Sequence, residues 1–386
     1  MNSLVYRIDI RTLIFSTFYF IFLLSDFLLL AQDGAIAKDI IKWIKLFSLF
    51  PLMLLIFNLP LNLLILGFVT IVISTFYSIY TGDSFLLYIC LLVFFSYKVN
   101  FNFLFKIGLY LTSILVVLIL IYFLFEYFLI GDSHFVYDAT YWFKRYTFNF
   151  DNPNAFSMRI FIFFMFYVLF VGKLRLFDTL LFIILFWIVF YFSNSRTAFY
   201  IFILCVSFIH FNQIFNILNN TFVKFLINSS IIFITIFSIL SAIYYQDYYS
   251  YLEPINQILS KRIYFANEAY NSLGIEFYPR NIKWWIEESD WHIIDNGYVY
   301  LFISGGILVG SLFIFTITWL MYNLNKFNLS NEAILLMFSI LYILSESHFI
   351  NIYYNIPLLL LAVFINKINV IRYLEWKMKN EKKPCK

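Results

Sequence analysis

Charge is what this chain has least of. Only 12% of its 386 residues are Asp, Glu, Lys or Arg, against roughly 25% in a soluble globular domain. That shortfall excludes an ordinary water-soluble fold. Cysteine is scarce as well: Cys90 and Cys205 fall inside apolar runs and Cys385 in a charged tail. No disulfide framework and no metal-type Cys/His spacing is present, so no bound metal is expected. P-loop, nucleotide-binding glycine fingerprint and zinc motif are all missing. The expectation is therefore a protein with no cofactor, no cytosolic nucleotide to power it and no nucleic-acid partner. A cleavable signal peptide is not expected either, since the first apolar run, residues 12–31, is too long and is followed by more of the same.

What the chain does have is apolar bulk, 63% of its residues. Its runs approach the roughly 20 residues needed to cross a bilayer. They predict an all-α, polytopic integral membrane protein, a single domain over residues 1–386 with twelve spans: 12–31, 41–58, 60–80, 84–98, 106–130, 155–172, 176–193, 196–212, 222–245, 296–322, 332–349 and 353–370. The many Phe and Tyr residues read first as lipid-facing bulk and interfacial belts. Only two connections are long, 131–154 and 246–295. Placing the N-terminus in the cytoplasm puts 15 of the 26 Lys and Arg and 5 of the 22 Asp and Glu inside, including the basic tail 371–386. The outer side keeps 11 basic and 17 acidic residues, so +10 inside and −6 outside add to the chain's +4. That distribution obeys the positive-inside rule. Both termini are then cytoplasmic and both long loops extracytoplasmic.

The unexpected charges gather on that outer side. Arg196 sits in "SNSRTAF" between two apolar runs, and Arg159 lies four residues into a span. Cations at membrane depth line cavities or polar partner sites, although a single arginine can also snorkel to the headgroups. Arginine cannot deprotonate, and its planar fork binds phosphate oxygens bidentately. With Arg262 and Arg280 in the adjoining loop, the set suits an anionic headgroup or pyrophosphate. The loop 246–295 interleaves Trp284, Trp285 and several tyrosines with carboxylates. Such a pattern suits sugar binding, and equally an amphipathic cap lying on the bilayer. His292 and Asp295, three residues apart, are each able to take a proton from an attacking hydroxyl if held within reach. Glu346 and His348 form a similar pair at the next outer turn, readable as substrate contacts or as structural hydrogen bonding.

Four stretches, in order, resemble the O-antigen polymerase and ligase superfamily, the Wzy-type polymerases and their ligase relatives. They are "FNFDNPNAFS" (148–157), "SNSRTAF" (193–199), "ILSKRIYFANEAY" (258–270) and "IDNGYVYLFISGGILVG" (294–310). The first five spans match only as hydrophobic helices. Asp295-Asn296 stands where ligase members commonly carry His-Asn, which favours the polymerase branch. Phe277-Tyr278-Pro279 departs from the Phe-Gly step common in polymerases, which leaves the loop register around Arg280 open.

The resemblance implies a GT-C-like fold in the bacterial cytoplasmic (inner) membrane. It implies a metal-independent, inverting glycosyltransferase that acts on undecaprenyl-pyrophosphate-linked oligosaccharide, with a chain-length regulator protein as a further partner. A growing glycan would pass from its lipid carrier onto an incoming repeat unit, as in O-antigen or capsule synthesis. On this reading Arg196 and Arg262 clamp the departing pyrophosphate, with the Ser-Asn-Ser knot orienting Arg196. Asp295, ranked slightly ahead of His292, is the base. Arg159, Arg280, Asn154, Asn296, Trp284, Trp285, Glu346 and His348 contact substrate. The alternatives are a ligase that moves finished glycan to another acceptor, and a non-enzymatic transporter or flippase.

Overall fold

The computed structural model describes residues 9–29, 43–44, 47–49, 51–56, 59–130, 135–138, 143–148, 150, 152–288 and 294–381. Among them, seven helices are long and apolar enough to cross a membrane: Leu61–Thr81, Phe101–Phe128, Asn154–Val171, Leu176–Ser193, Arg196–Phe215, Thr221–Ile243 and Gly306–Lys326. Their outer faces carry large apolar side chains such as Phe76, Ile79, Phe177 and Ile214, each more than two-thirds exposed. A protein in water rarely tolerates so much apolar surface, whereas lipid solvates it. The protein is thus a mainly helical, membrane-spanning chain.

Twelve full spans are not what these residues form. The expected spans at 84–98 and 332–349 are the shorter helices Phe85–Phe95 and Ser330–Ile343. The segment expected at 353–370 bends by 119° between Ile356–Phe364 and Lys367–Met378. Parts of 41–58 lie outside the described residues, as does the end of the basic tail. The expected span at 296–322 is two helices, Gly297–Ser304 and Gly306–Lys326, parted at Gly305–Gly306. Apolarity alone misleads here because a run buried in protein needs no bilayer length. Ala333–Leu336 and Ile356–Ala362 are almost wholly covered by the rest of the chain.

The chain divides into two compact units. One comprises residues 1–67, 91–199 and 361–386. Its centre is Asn154–Val171, in which Phe156, Ile160, Phe161, Phe164, Met165 and Phe166 are fully buried. A helix apolar all round is buried all round. Its start is set by Asn152-Pro153-Asn154. The Asn152 side chain accepts from the Asn154 N–H at 2.8 Å, and proline, lacking an N–H, suits the entry to a helix. The described part of 131–154 is an antiparallel hairpin pairing Phe135 with Tyr146 and Val136 with Arg145.

The other unit comprises residues 68–90 and 200–360. The long connection 246–295 is largely helical within it, folding as Tyr249–Ile258, Arg262–Leu273 and the single turn Lys283–Glu288. Asn267 donates to the Ala242 carbonyl at 2.6 Å, which fastens the second of these to the end of Thr221–Ile243. Ala242, Ala266, Ala269, Ile282, Trp285, Ile294, Val299 and Ile303 form the core beneath it. The glycine pair that breaks the helix answers a close approach. Gly306 has φ +68°, and a Cβ there would lie 2.6 Å from the Tyr278 backbone. Through that gap the amides of Ile307 and Leu308 reach the carbonyls of Glu276 and Phe277.

Candidate functional site

Arg262 opens the helix Arg262–Leu273, and its position is set by a tight corner. Ser260 and Lys261 both take left-handed backbone, φ 54° and 64°, a conformation that non-glycine residues hold only when their surroundings impose it. Asn256, 2% exposed, imposes it. Its Oδ1 accepts from the amides of Ile263 and Tyr264, each at 3.1 Å, and so caps the helix. Its Nδ2 donates to the Tyr245 hydroxyl at 3.0 Å and to Glu253 at 2.9 Å.

The guanidinium so placed is 5% exposed. Its Nη2 donates to Glu346 Oε1 at 3.1 Å, and the Glu346 side chain is itself 9% exposed. A positive charge at a helix N-terminus is disfavoured by the helix dipole, so the carboxylate is needed there. Nε has a different fate. Asp295 Oδ2 stands 3.7 Å from it, too far for a hydrogen bond. Among the described residues this buried N–H has no hydrogen-bond acceptor.

Asp295 also lines a cavity of about 380 Å³. Its polar wall is Asp83, Asp295, Tyr300, Ser347, His348 and Asn351, and its apolar wall includes Phe85, Ile286 and Ile294. Three separate connections meet there: the 82–84 turn, the segment entering Gly297–Ser304, and the 3-10 turn Ser347–Ile350. Asp83 receives the Phe85 N–H at 3.1 Å through Oδ1 and the Tyr300 hydroxyl at 2.9 Å through Oδ2. Burial pushes its carboxyl above the ordinary value of 3.8, against those two hydrogen bonds and the nearby Lys283 and His348, which pull it down. A pocket of this size, apolar on one side with convergent polar groups on the other, has the character of a small-molecule site. Among the described residues no group of three His, Cys, Asp or Glu is placed to hold a metal ion.

The unit thus brings together Arg262, Glu346, Asp295 and His348. Asn296, Arg280 and Trp285 are spent on its frame. Asn296 caps Gly297–Ser304, accepting from the amides of Tyr298 at 3.1 Å and Val299 at 3.3 Å. Arg280 fills the helix break: its backbone N–H donates to the Ser304 carbonyl, its Nε to Ile303 O at 3.2 Å and its Nη2 to Gly274 O. Its Nη1 pairs with Glu276 at 3.0 Å. Trp285 is in the core, while Trp284 is 59% exposed. His292 lies outside the described residues.

Arg159, Asn154 and Arg196 belong to the first unit. Arg159 is fully buried, donates to the Ala155 carbonyl at 2.7 Å and lies 4.2 Å from the centre of the Phe150 ring. Asn154 accepts from Arg145 at 3.1 Å, and Arg145 also donates through Nε to the Ser193 carbonyl at 2.9 Å. The hairpin is thereby tied to the ends of two helices. Arg196 is half-buried at the head of its helix. The knot before it is a helix-to-helix turn: Asn194 is left-handed at φ 49°, its N–H reaching Phe190 O, and Ser193 Oγ donates to Val189 O at 2.8 Å. Phe190 and Phe199 stack across the turn with ring centres 4.8 Å apart.

Arg145, Asn256, Asp83 and Tyr300 are the residues that sequence reasoning missed. Asp83 had a signal, an acid in the turn Thr81-Gly82-Asp83 on the same expected side as the long loops. The other three had none, because their partners are distant in sequence. No family model, no curated protein and no solved structure matches the chain.

Proposed function

We propose that the protein is a polysaccharide repeat-unit polymerase. It moves a growing glycan from undecaprenyl pyrophosphate onto a sugar hydroxyl of an incoming lipid-linked repeat, at the outer face of the bacterial cytoplasmic membrane. The observation that carries this reading is the Nε–H of Arg262, buried and lacking an acceptor among the described residues, beside a cavity with a polar wall. Glu346 holds the other end of the guanidinium in place. A diphosphate oxygen that displaced the Asp295 carboxylate from beside Arg262, now at 3.7 Å, would satisfy that N–H.

The chemistry follows from charge. As the anomeric carbon becomes cationic, the bond to the carrier breaks and negative charge grows on the departing diphosphate. A pre-placed donor in a partly dry site stabilises that charge, worth roughly 3 kcal/mol of barrier by analogy with oxyanion-hole donors. The energy is stored in the glycosyl diphosphate bond, so no nucleotide is required. On the twelve-span reading of the sequence all three connections that wall the cavity would face outward, an arrangement suited to surface chemistry rather than passage across the bilayer.

The test is direct. Purified protein in proteoliposomes is given the undecaprenyl-pyrophosphate-linked repeat of its host, without nucleotide sugar and with a chelator present. A ladder of products with inverted anomeric linkage supports the reading. Transfer of intact glycan to a different acceptor without a ladder would favour the ligase alternative.

A further inference from the structure

The base for this reaction need not be a residue of the long loop. We infer that the cavity holds the acceptor sugar and that Asp83 takes the proton from its attacking hydroxyl, leaving Asp295 to hold Arg262. The inference rests on the glycosyl-transfer reading and changes which carboxylate does the work.

Geometry separates the two acids. Asp295 is 39% exposed in its side chain and faces a guanidinium at 3.7 Å, a partner that occupies that side of the carboxylate. Asp83 is enclosed by several elements. Tyr77 approaches from Leu61–Thr81, Tyr300 from Gly297–Ser304, Lys283 from Lys283–Glu288 and His348 from the Ser347–Ile350 turn. Asp295 shares the same cavity wall. Its two recorded hydrogen bonds, from the Phe85 amide and the Tyr300 hydroxyl, occupy one position on each oxygen. An ionised carboxylate has about four acceptor positions, so a sugar hydroxyl has room to bind. Burial that raises the carboxyl makes it a better proton acceptor when ionised. Ser347 and Asn351, on the same wall, offer the hydrogen-bonding partners that other ring hydroxyls need.

In the step itself, the acceptor oxygen forms a bond to the anomeric carbon while the bond from that carbon to the diphosphate oxygen breaks. The leaving diphosphate takes the electron pair, and the hydroxyl proton goes to Asp83. Tyr300, donating to Oδ2, is a positioning residue that fixes the carboxylate and tempers its basicity.

The experiment compares wild type, Asp83→Asn, Asp295→Asn and Tyr300→Phe in the reconstituted ladder assay, over pH 5 to 8. Asparagine at 83 keeps an acceptor for the Phe85 amide, and folding of each variant is checked by size-exclusion profile. Asp83→Asn is expected to lower kcat about 100-fold or more, in the range for a lost general base, with KM for the lipid-linked substrate little changed. Tyr300→Phe removes a hydrogen bond to the ionised form, so the acidic limb of the rate profile should move to higher pH. Asp295→Asn should keep that limb where it is in wild type. Wild-type activity in Asp83→Asn, or an acidic limb that moves with Asp295→Asn and not with Tyr300→Phe, overturns the assignment. A wild-type protein that forms no ladder at any pH overturns the underlying reading instead.

Discussion

Arg262 and Glu346, 84 positions apart in sequence, meet as a buried ion pair at 3.1 Å. Burying two charges is expensive, and such a pair adds little net stability over apolar residues of the same shape, but removing one partner strands the other. Glu346→Gln should therefore destabilise the protein by roughly 3 kcal/mol, read as a fall in melting temperature in detergent. The double variant Arg262→Met, Glu346→Leu should recover most of that loss. A single variant as stable as wild type would mean that the pair is open to water.

Asp83 makes stability depend on pH with a defined sign. Its carboxyl is raised by burial above 3.8, so the folded protein holds that proton to higher pH than the unfolded chain does. Between the two values the folded state binds more protons, and stability falls as pH rises through that window. The melting temperature of wild type, taken relative to Asp83→Asn, should decline from pH 4 upward and then level off. A difference that grows with pH would place the carboxyl in a charge-stabilising environment and contradict the burial.

Gly306 should resist replacement. Its φ of +68° and the Tyr278 backbone 2.6 Å from any added Cβ make alanine both strained and crowded. The left-handed backbone alone is worth roughly 1–2 kcal/mol. Gly306→Ala should lower the melting temperature by at least that equivalent, and an unchanged melting temperature would mean that the Tyr278 segment gives way.

Arg145 bridges the Ser193 carbonyl and the Asn154 side chain with two different nitrogens. Lysine has a single nitrogen and lacks the fork. Both Arg145→Lys and Arg145→Ala should speed proteolytic cleavage in the hairpin, the first nearly as much as the second. Unchanged cleavage in Arg145→Lys would show that one contact suffices.

Much of the fold was legible in the sequence where a local pattern decides it. Apolar length gave the seven long helices, and Asn152-Pro153-Asn154 is a helix entry in both readings. The exceptions share a cause. The run 296–322 is apolar throughout, yet Gly305–Gly306 and the approach of Tyr278 split it, and only the tertiary contact shows why two glycines stand there. The helices of loop 246–295 are too short to show by apolar length, their order coming from Asn256 and Asn267. For the site, Arg262, Asp295, Glu346 and His348 stood out as charges beside apolar runs and do lie together in one unit. Arg280 and Asn296 stood out beside them, but Asn296 caps a helix and Arg280 bonds to the Ile303 and Gly274 carbonyls and to Glu276. Asp83 shows in the sequence only as one acid in a short turn, since burial and the Tyr300 contact are invisible until Gly297–Ser304 is folded beside it.

In the proposed reaction the Arg262 guanidinium, fixed by Glu346, receives the departing diphosphate. Arg262→Lys keeps the charge and the pairing with Glu346 while removing the Nε donor. The measurement is the rate of undecaprenyl pyrophosphate release from the lipid-linked repeat, wild type against Arg262→Lys, in proteoliposomes with equal amounts of folded protein. A loss of about 100-fold or more is expected, the scale for a lost transition-state donor. Release by the lysine variant at the wild-type rate would contradict it.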